Sequence, residues 1–138
     1  MNEHFKSIVL QKTGASSLTE KEVIQELWSG YGRIIRVGLE NAAVESAIVK
    51  HVQLPIHKKH PKGWDTNSGH ERKLKSYKVE AAWYNTYSTI SAARLPQCIT
   101  IESYDNEVLM LLEDLDSAGY PLRKEEVSWE DIDECLLW

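Results

Sequence analysis

Val108-Leu109-Met110-Leu111-Leu112 is an unbroken apolar run, preceded by the turn-forming pair Asp105-Asn106 and followed by Glu113-Asp114. A strand with no polar position must be covered on both faces, so this run demands a sheet with protein on either side. Asp105-Asn106 also separates it from Gln97 to Ser103, and the two segments read as a hairpin. With 138 residues, the chain can bury about two thirds of its unfolded surface around one core.

Two more strands belong with that hairpin. Arg33 to Leu39 alternates Ile35, Val37 and Leu39 against Ile34, Arg36 and Gly38, and Ser46 to Gln53 is a second half-apolar run. Pro55 ends the latter before a polar, basic loop that continues to about Gly69. From His70 to Ser88 the residues Leu74, Tyr77, Ala81, Tyr84 and Ser88 recur at helical spacing with no internal Gly or Pro, which predicts the longest helix. Thr19-x-x-Glu22 before Val23, Ile24 and Leu27 is a capping-box pattern and predicts a short helix, broken by Ser29-Gly30-Tyr31-Gly32. Ser117 to Pro121 has linker composition. Ser128-x-x-Asp131 opens a last helix with the stripe Trp129, Ile132 and Leu136, which runs to Leu136-Leu137-Trp138 without a glycine or basic last turn and reads as cut inside an element. The expected class is α+β: an antiparallel sheet of about five strands with one long packed helix.

Composition narrows the function classes. The net charge is −5 with acids and bases interspersed, which argues against a nucleic-acid partner outside the cluster His57-Lys58-Lys59-His60-Pro61-Lys62. Ser7 to Leu10 is too short for a signal-peptide core, and no apolar run approaches the ~20 residues of a membrane span. Cys98 and Cys135 have no metal-ligand spacing and read as inert packing residues in a reducing, cytoplasmic setting. His57, His60 and His70 offer zinc-type donors at an uncommon spacing, and a solvated loop is the favoured reading.

Lys50 is the residue with the clearest chemical demand. It stands between Ile48 and Val52 on one face of a strand, where an ammonium needs an anionic partner. On a helical wheel Glu80 is the only acid in an arc with Tyr77, Trp83, Tyr84 and Tyr87, where an unpaired carboxylate is costly. Glu71 and Glu102 are the weaker partners. The bland alternatives are a lysine that snorkels from an edge strand and a glutamate with its head in water.

The motifs Leu27-Trp28-Ser29-Gly30-Tyr31-Gly32, Ile48-Val49-Lys50-His51, Glu80-x-x-Trp83-Tyr84 and Leu111-Leu112-Glu113-Asp114-Leu115, in that order, resemble the N-terminal lobe of protein-kinase-like small-molecule phosphotransferases. Within them, residues 18 to 138 look like the ecdysteroid kinase-like family, related to choline kinases and aminoglycoside phosphotransferases. The resemblance implies a nucleotide-binding lobe over 1–116, and over 117–138 a linker with the first helix of a second lobe. It implies that Lys50, steadied by Glu80, holds ATP phosphates, and that Gly30 and Gly32 let backbone approach them. Main-chain groups of Glu113 and Leu115 would read adenine at a hinge, where Asp114-x-Asp116 is polar hinge rather than a metal pair. The family's catalytic base and Mg²⁺ ligands belong to a His-x-Asp segment and a later Asp of the second lobe; no His-x-Asp occurs in this chain. The resemblance therefore implies ATP and a small-molecule alcohol as ligands of a whole kinase, no catalytic or metal residue within 1–138, and an inactive isolated chain. The competing reading is a non-catalytic protein-interaction module of similar fold. The open final helix is expected either to self-associate or to leave residues from about Ser117 onward poorly ordered.

Overall fold

The computed structural model of the chain describes residues 1–53, 67–90 and 94–137. Five strands, β1 (Ser17–Glu26), β2 (Gly32–Glu40), β3 (Ser46–Gln53), β4 (Cys98–Tyr104) and β5 (Glu107–Glu113), form one antiparallel sheet in the order β1-β2-β3-β5-β4. Among the described residues there are three helices longer than a single turn: α1 (Glu3–Thr13), α2 (Asn67–Thr86) and α3 (Trp129–Leu136). The class is α+β, and the apolar run of β5 is buried from Leu109 to Leu112.

Register divides the sheet into two faces. Ile35, Val49 and Leu111 stand in line across β2, β3 and β5, and so, one step along, do Ile34, Lys50 and Met110. Residues directly opposite share a face, and successive residues alternate between faces. The first face is covered by α1, whose Phe5 and Val9 join Ile35, Val37, Val49, Leu109 and Leu111 in one hydrophobic core. The second face carries Lys50.

The N-terminal third departs from the sequence-based expectation. Glu3 to Thr13 forms α1, where the sequence pattern predicts no element. The Asn2 side chain accepts from the Phe5 N–H at 2.8 Å to start it, and Gly14 at φ +70° ends it. The short helix expected from Thr19 is instead β1, paired with β2 from Ser17↔Glu40 to Glu26↔Arg33. A full row of strand hydrogen bonds outweighs a local cap, and Val23 and Ile24 are β-branched residues that favour it. The outer edge of β1 exposes Thr19, Glu20, Lys21 and Glu22, which discourages pairing with further strands.

The single long packed helix of the expectation is also corrected. α2 is 20 residues long, but its described side chains are half-buried or exposed, and the helix that packs on the core is α1. α2 has few large apolar residues to bury, so it is held over the second face chiefly by polar and aromatic contacts. α3 starts with the capping box expected of Ser128 and Asp131 and buries none of its residues; Trp129 is 79% exposed. No described helix is long and apolar enough to cross a membrane. The basic loop with His57 and His60, and the His70 side chain, lie outside the described residues.

Candidate functional site

Alternation along β3 places Ile48 and Lys50 on the second face, about 7 Å apart along the strand. Lys50 Nζ lies 2.7 Å from each carboxylate oxygen of Glu80 on α2. The pair is mostly screened from water, with Lys50 the more buried partner. The ammonium also stands 5.5 Å from the centre of the Tyr77 ring, which stabilises a cation by its π-face. Burial, followed by the negative charge of Glu80, pushes the Tyr77 and Tyr84 hydroxyls up, so both phenols stay neutral beside the carboxylate. Glu102 is engaged elsewhere, 3.4 Å from Lys12, and Glu71 is exposed.

The two glycines lie where β1 turns into β2, Gly30 in the turn and Gly32 at the start of the strand. Gly30 has φ +70°, and a Cβ there would meet nothing within 4 Å. Gly32, at φ +127°, lies so close to β3 that a Cβ would stand 2.0 Å from the His51 carbonyl oxygen. Strand packing thus accounts for Gly32, and left-handed turn geometry accounts for Gly30. Lys73 of α2 reaches over this turn, 5.0 Å from the Trp28 ring centre and 4.7 Å from that of Tyr31.

At the other end of the same face, a cleft of about 190 Å³ lies between Ile24, Ile34, Ile48 and Leu112, with residues 113 to 116 along one edge. Ile24 reaches it through a bulge: Val23 pairs with Ile35 and Gln25 with Ile34, so Ile24 has no partner in register. An extra residue of this kind re-aims a side chain at the edge of a sheet. The volume is below the roughly 300–1,000 Å³ that enclose a drug-sized ligand. A larger groove, about 570 Å³, is lined by α2 residues alone, including Arg72, Lys75 and Trp83, and is open surface on one helix.

The edge segment is fixed by contacts the sequence reading missed. Arg36, on β2, directs Nε to Asp114 Oδ2 at 2.8 Å, Nη2 to Asp116, and Nη1 to Glu22 Oε1 at 3.0 Å. Asp114 is only 3% exposed and also accepts from Ser46 Oγ at 2.7 Å. Burial alone would raise the Asp114 carboxyl, but the hydrogen bonds from Ser46 and Arg36 and the guanidinium charge leave it below the usual carboxylate range. The Glu113 carboxylate is forked by Arg94 at 2.7 and 2.9 Å and accepts from the Gln97 N–H, which fixes its position. The Asp114-x-Asp116 pair is therefore occupied by Arg36. The signal that could have revealed this was visible in β2, since Arg36 interrupts an apolar strand as Lys50 does. Among the described residues no group of three His, Cys, Asp or Glu side chains is placed to hold a metal ion.

Of the sequence-derived site residues, Lys50 and Glu80 meet directly, while Glu113 and Leu115 border the cleft. Gly30 ends the turn after β1, and Gly32 is the first residue of β2. No protein-family model matches this chain, and no curated protein matches it significantly.

Proposed function

We propose that residues 1–116 bind ATP and act as the nucleotide-binding lobe of an Mg²⁺-dependent phosphotransferase of the protein-kinase-like, small-molecule type, with an alcohol as acceptor. The observation that carries this reading is the pairing, on one sheet face, of a small cleft with a largely apolar floor, bordered by residues 113 to 116 and Arg123, with an ammonium held by a helix carboxylate. The ring would lie between Ile24, Ile34 and Ile48. At its polar edge the Glu113 N–H is already given to the Gln97 carbonyl and the Leu115 carbonyl already accepts from the Tyr120 N–H, both at 2.8 Å. The ring would thus be read by the Glu113 carbonyl and the Leu115 N–H. Lys50, two residues beyond Ile48, stands where phosphates would extend, and its charge would offset part of theirs. The resemblance in motif order supports the same assignment, and it puts the base and the Mg²⁺ ligands outside residues 1–138.

The role proposed for these residues is holding the nucleotide, and half a site of this kind supports millimolar affinity, about 4 kcal/mol. Calorimetric titration of the full chain with ATP is expected to show such binding, weakened about tenfold in Lys50→Met, the worth of a single charge-assisted contact. Equal affinity in the two proteins would remove Lys50 from the site. Absence of binding to the wild-type chain would remove the nucleotide reading altogether.

One observation favours a second reading, a non-catalytic interaction module. α3 exposes Trp129, Ile132 and Leu136 on a helix with no buried residue, and such a stripe is costly in water by roughly 25 cal/mol per Å². Under that reading α3 is the contact element, through a partner protein or a second copy.

A further inference from the structure

We infer that Arg36 is a positioning residue that sets the width of the cleft, and thereby the affinity for the ring of the nucleotide. The inference rests on the nucleotide reading above. The two walls of the cleft come from different parts of the chain: Ile24 belongs to β1, and the opposite side to residues 113–116. They are separated by the full width of β2 and β3 in the sheet order. Arg36 spans that gap. Its Nη1 holds Glu22, two residues before Ile24, while Nε and Nη2 hold Asp114 and Asp116 in the opposite wall.

The geometry on either side makes this a spacer. Ile24 stands at a bulge, so its strand has no register of its own there to fix the height of the side chain above the cleft floor. Asp114 is held in turn by Ser46 at the start of β3 and by the Asp116 N–H at 3.2 Å, so the edge cannot shift independently of the guanidinium. A planar guanidinium has donors in a rigid fork and fixes the angle between two carboxylate groups as well as their distance; a lysine ammonium cannot do both. A narrow cleft gains contact on both ring faces only at one separation, so the fork should be felt in ring affinity. Arg36 itself is not among the described residues that line the cleft and need not touch the ligand.

The test uses the full chain with adenosine and ATP as probes, followed by ligand-observed NMR. Glu22→Gln is the decisive variant, because Glu22 is half-exposed and its pair with Arg36 lies at the surface, so the urea midpoint should change little. Glu22→Gln is expected to weaken adenosine and ATP by the same factor, about three- to tenfold, the worth of one misaligned hydrogen bond to the ring. Their affinity ratio should stay at the wild-type value because the phosphate end is untouched. Arg36→Lys, which keeps the charge and loses the fork, should do no better. A folded Glu22→Gln protein with wild-type adenosine affinity would overturn the inference, as would a loss that merely follows the unfolded fraction. If the wild-type chain binds neither adenosine nor ATP, the nucleotide reading falls and takes this inference with it.

Discussion

Replacing Arg36 with methionine is expected to destabilise the chain by about 3–5 kcal/mol, because it leaves the buried Asp114 carboxylate without its counter-charge. Methionine preserves much of the aliphatic stem, so the loss would report charge more than volume. Ser46 would still donate to Asp114, yet one neutral hydroxyl cannot replace a guanidinium that also binds Asp116 and Glu22. Urea denaturation measures the effect. A second change, Asp114→Asn in the Arg36→Met background, removes the unpaired charge and should recover part of the loss.

The same pair has a pH signature of definite sign. Asp114 has a folded carboxyl pKa below its ordinary value, so the unfolded chain binds its proton at higher pH than the native one does. The stabilisation is fully present above the unfolded carboxylate pKa of about 4 and is lost as pH falls through the lower, folded value. Wild-type stability should therefore drop over that acid window, with Arg36→Met showing a shallower decline. Parallel acid profiles for the two proteins would mean that other carboxylates carry the dependence.

Phe5→Ala is the other change with a large expected effect, about 3–5 kcal/mol, because Phe5 is fully buried and truncation leaves a cavity where α1 meets the sheet. The ring lies 5.0 Å from that of His51 in an edge-on arrangement, an additional contact that alanine cannot make. The lysine face is the opposite one, so the folded fraction of Phe5→Ala should bind ATP as the wild type does. A Phe5→Ala protein as stable as wild type in urea would mean that α1 is not part of the core.

Where sequence and structure agree, the physics was local or strongly periodic. β2, β3 and the β4–β5 hairpin follow from alternation and turn residues, and α2 from a long stretch without Gly or Pro. Each of Lys50 and Glu80 could be seen, in its own element, as a charge wanting a partner, but it was the resemblance in motif order that named one as the partner of the other; the structure brings them into contact. The N-terminal region failed for the converse reason. α1 has only two fully buried side chains, Phe5 and Val9, and the continuous run Ile8-Val9-Leu10 hides their four-residue spacing; Asn2 at the cap and Gly14 at the end were the available signals. In β1 the Thr19-x-x-Glu22 pattern favoured a helix on local grounds, and only pairing with β2 reverses it. The Arg36 network joins residues nearly eighty positions apart, as Arg36 and Asp114 show, so its charges are each visible in the sequence but their pairing is not.

The most direct test of the nucleotide assignment is the mapping of ATP onto the chain by amide chemical shifts. Titration into uniformly labelled protein is expected to move the resonances of Ile24, Ile34, Ile48, Lys50 and residues 112–115, while Phe5, Val9 and the α1 face stay in place. Unmoved resonances along β3 and residues 112–115 at millimolar ATP, or shifts confined to α1 or to the outer surface of α2, would contradict it.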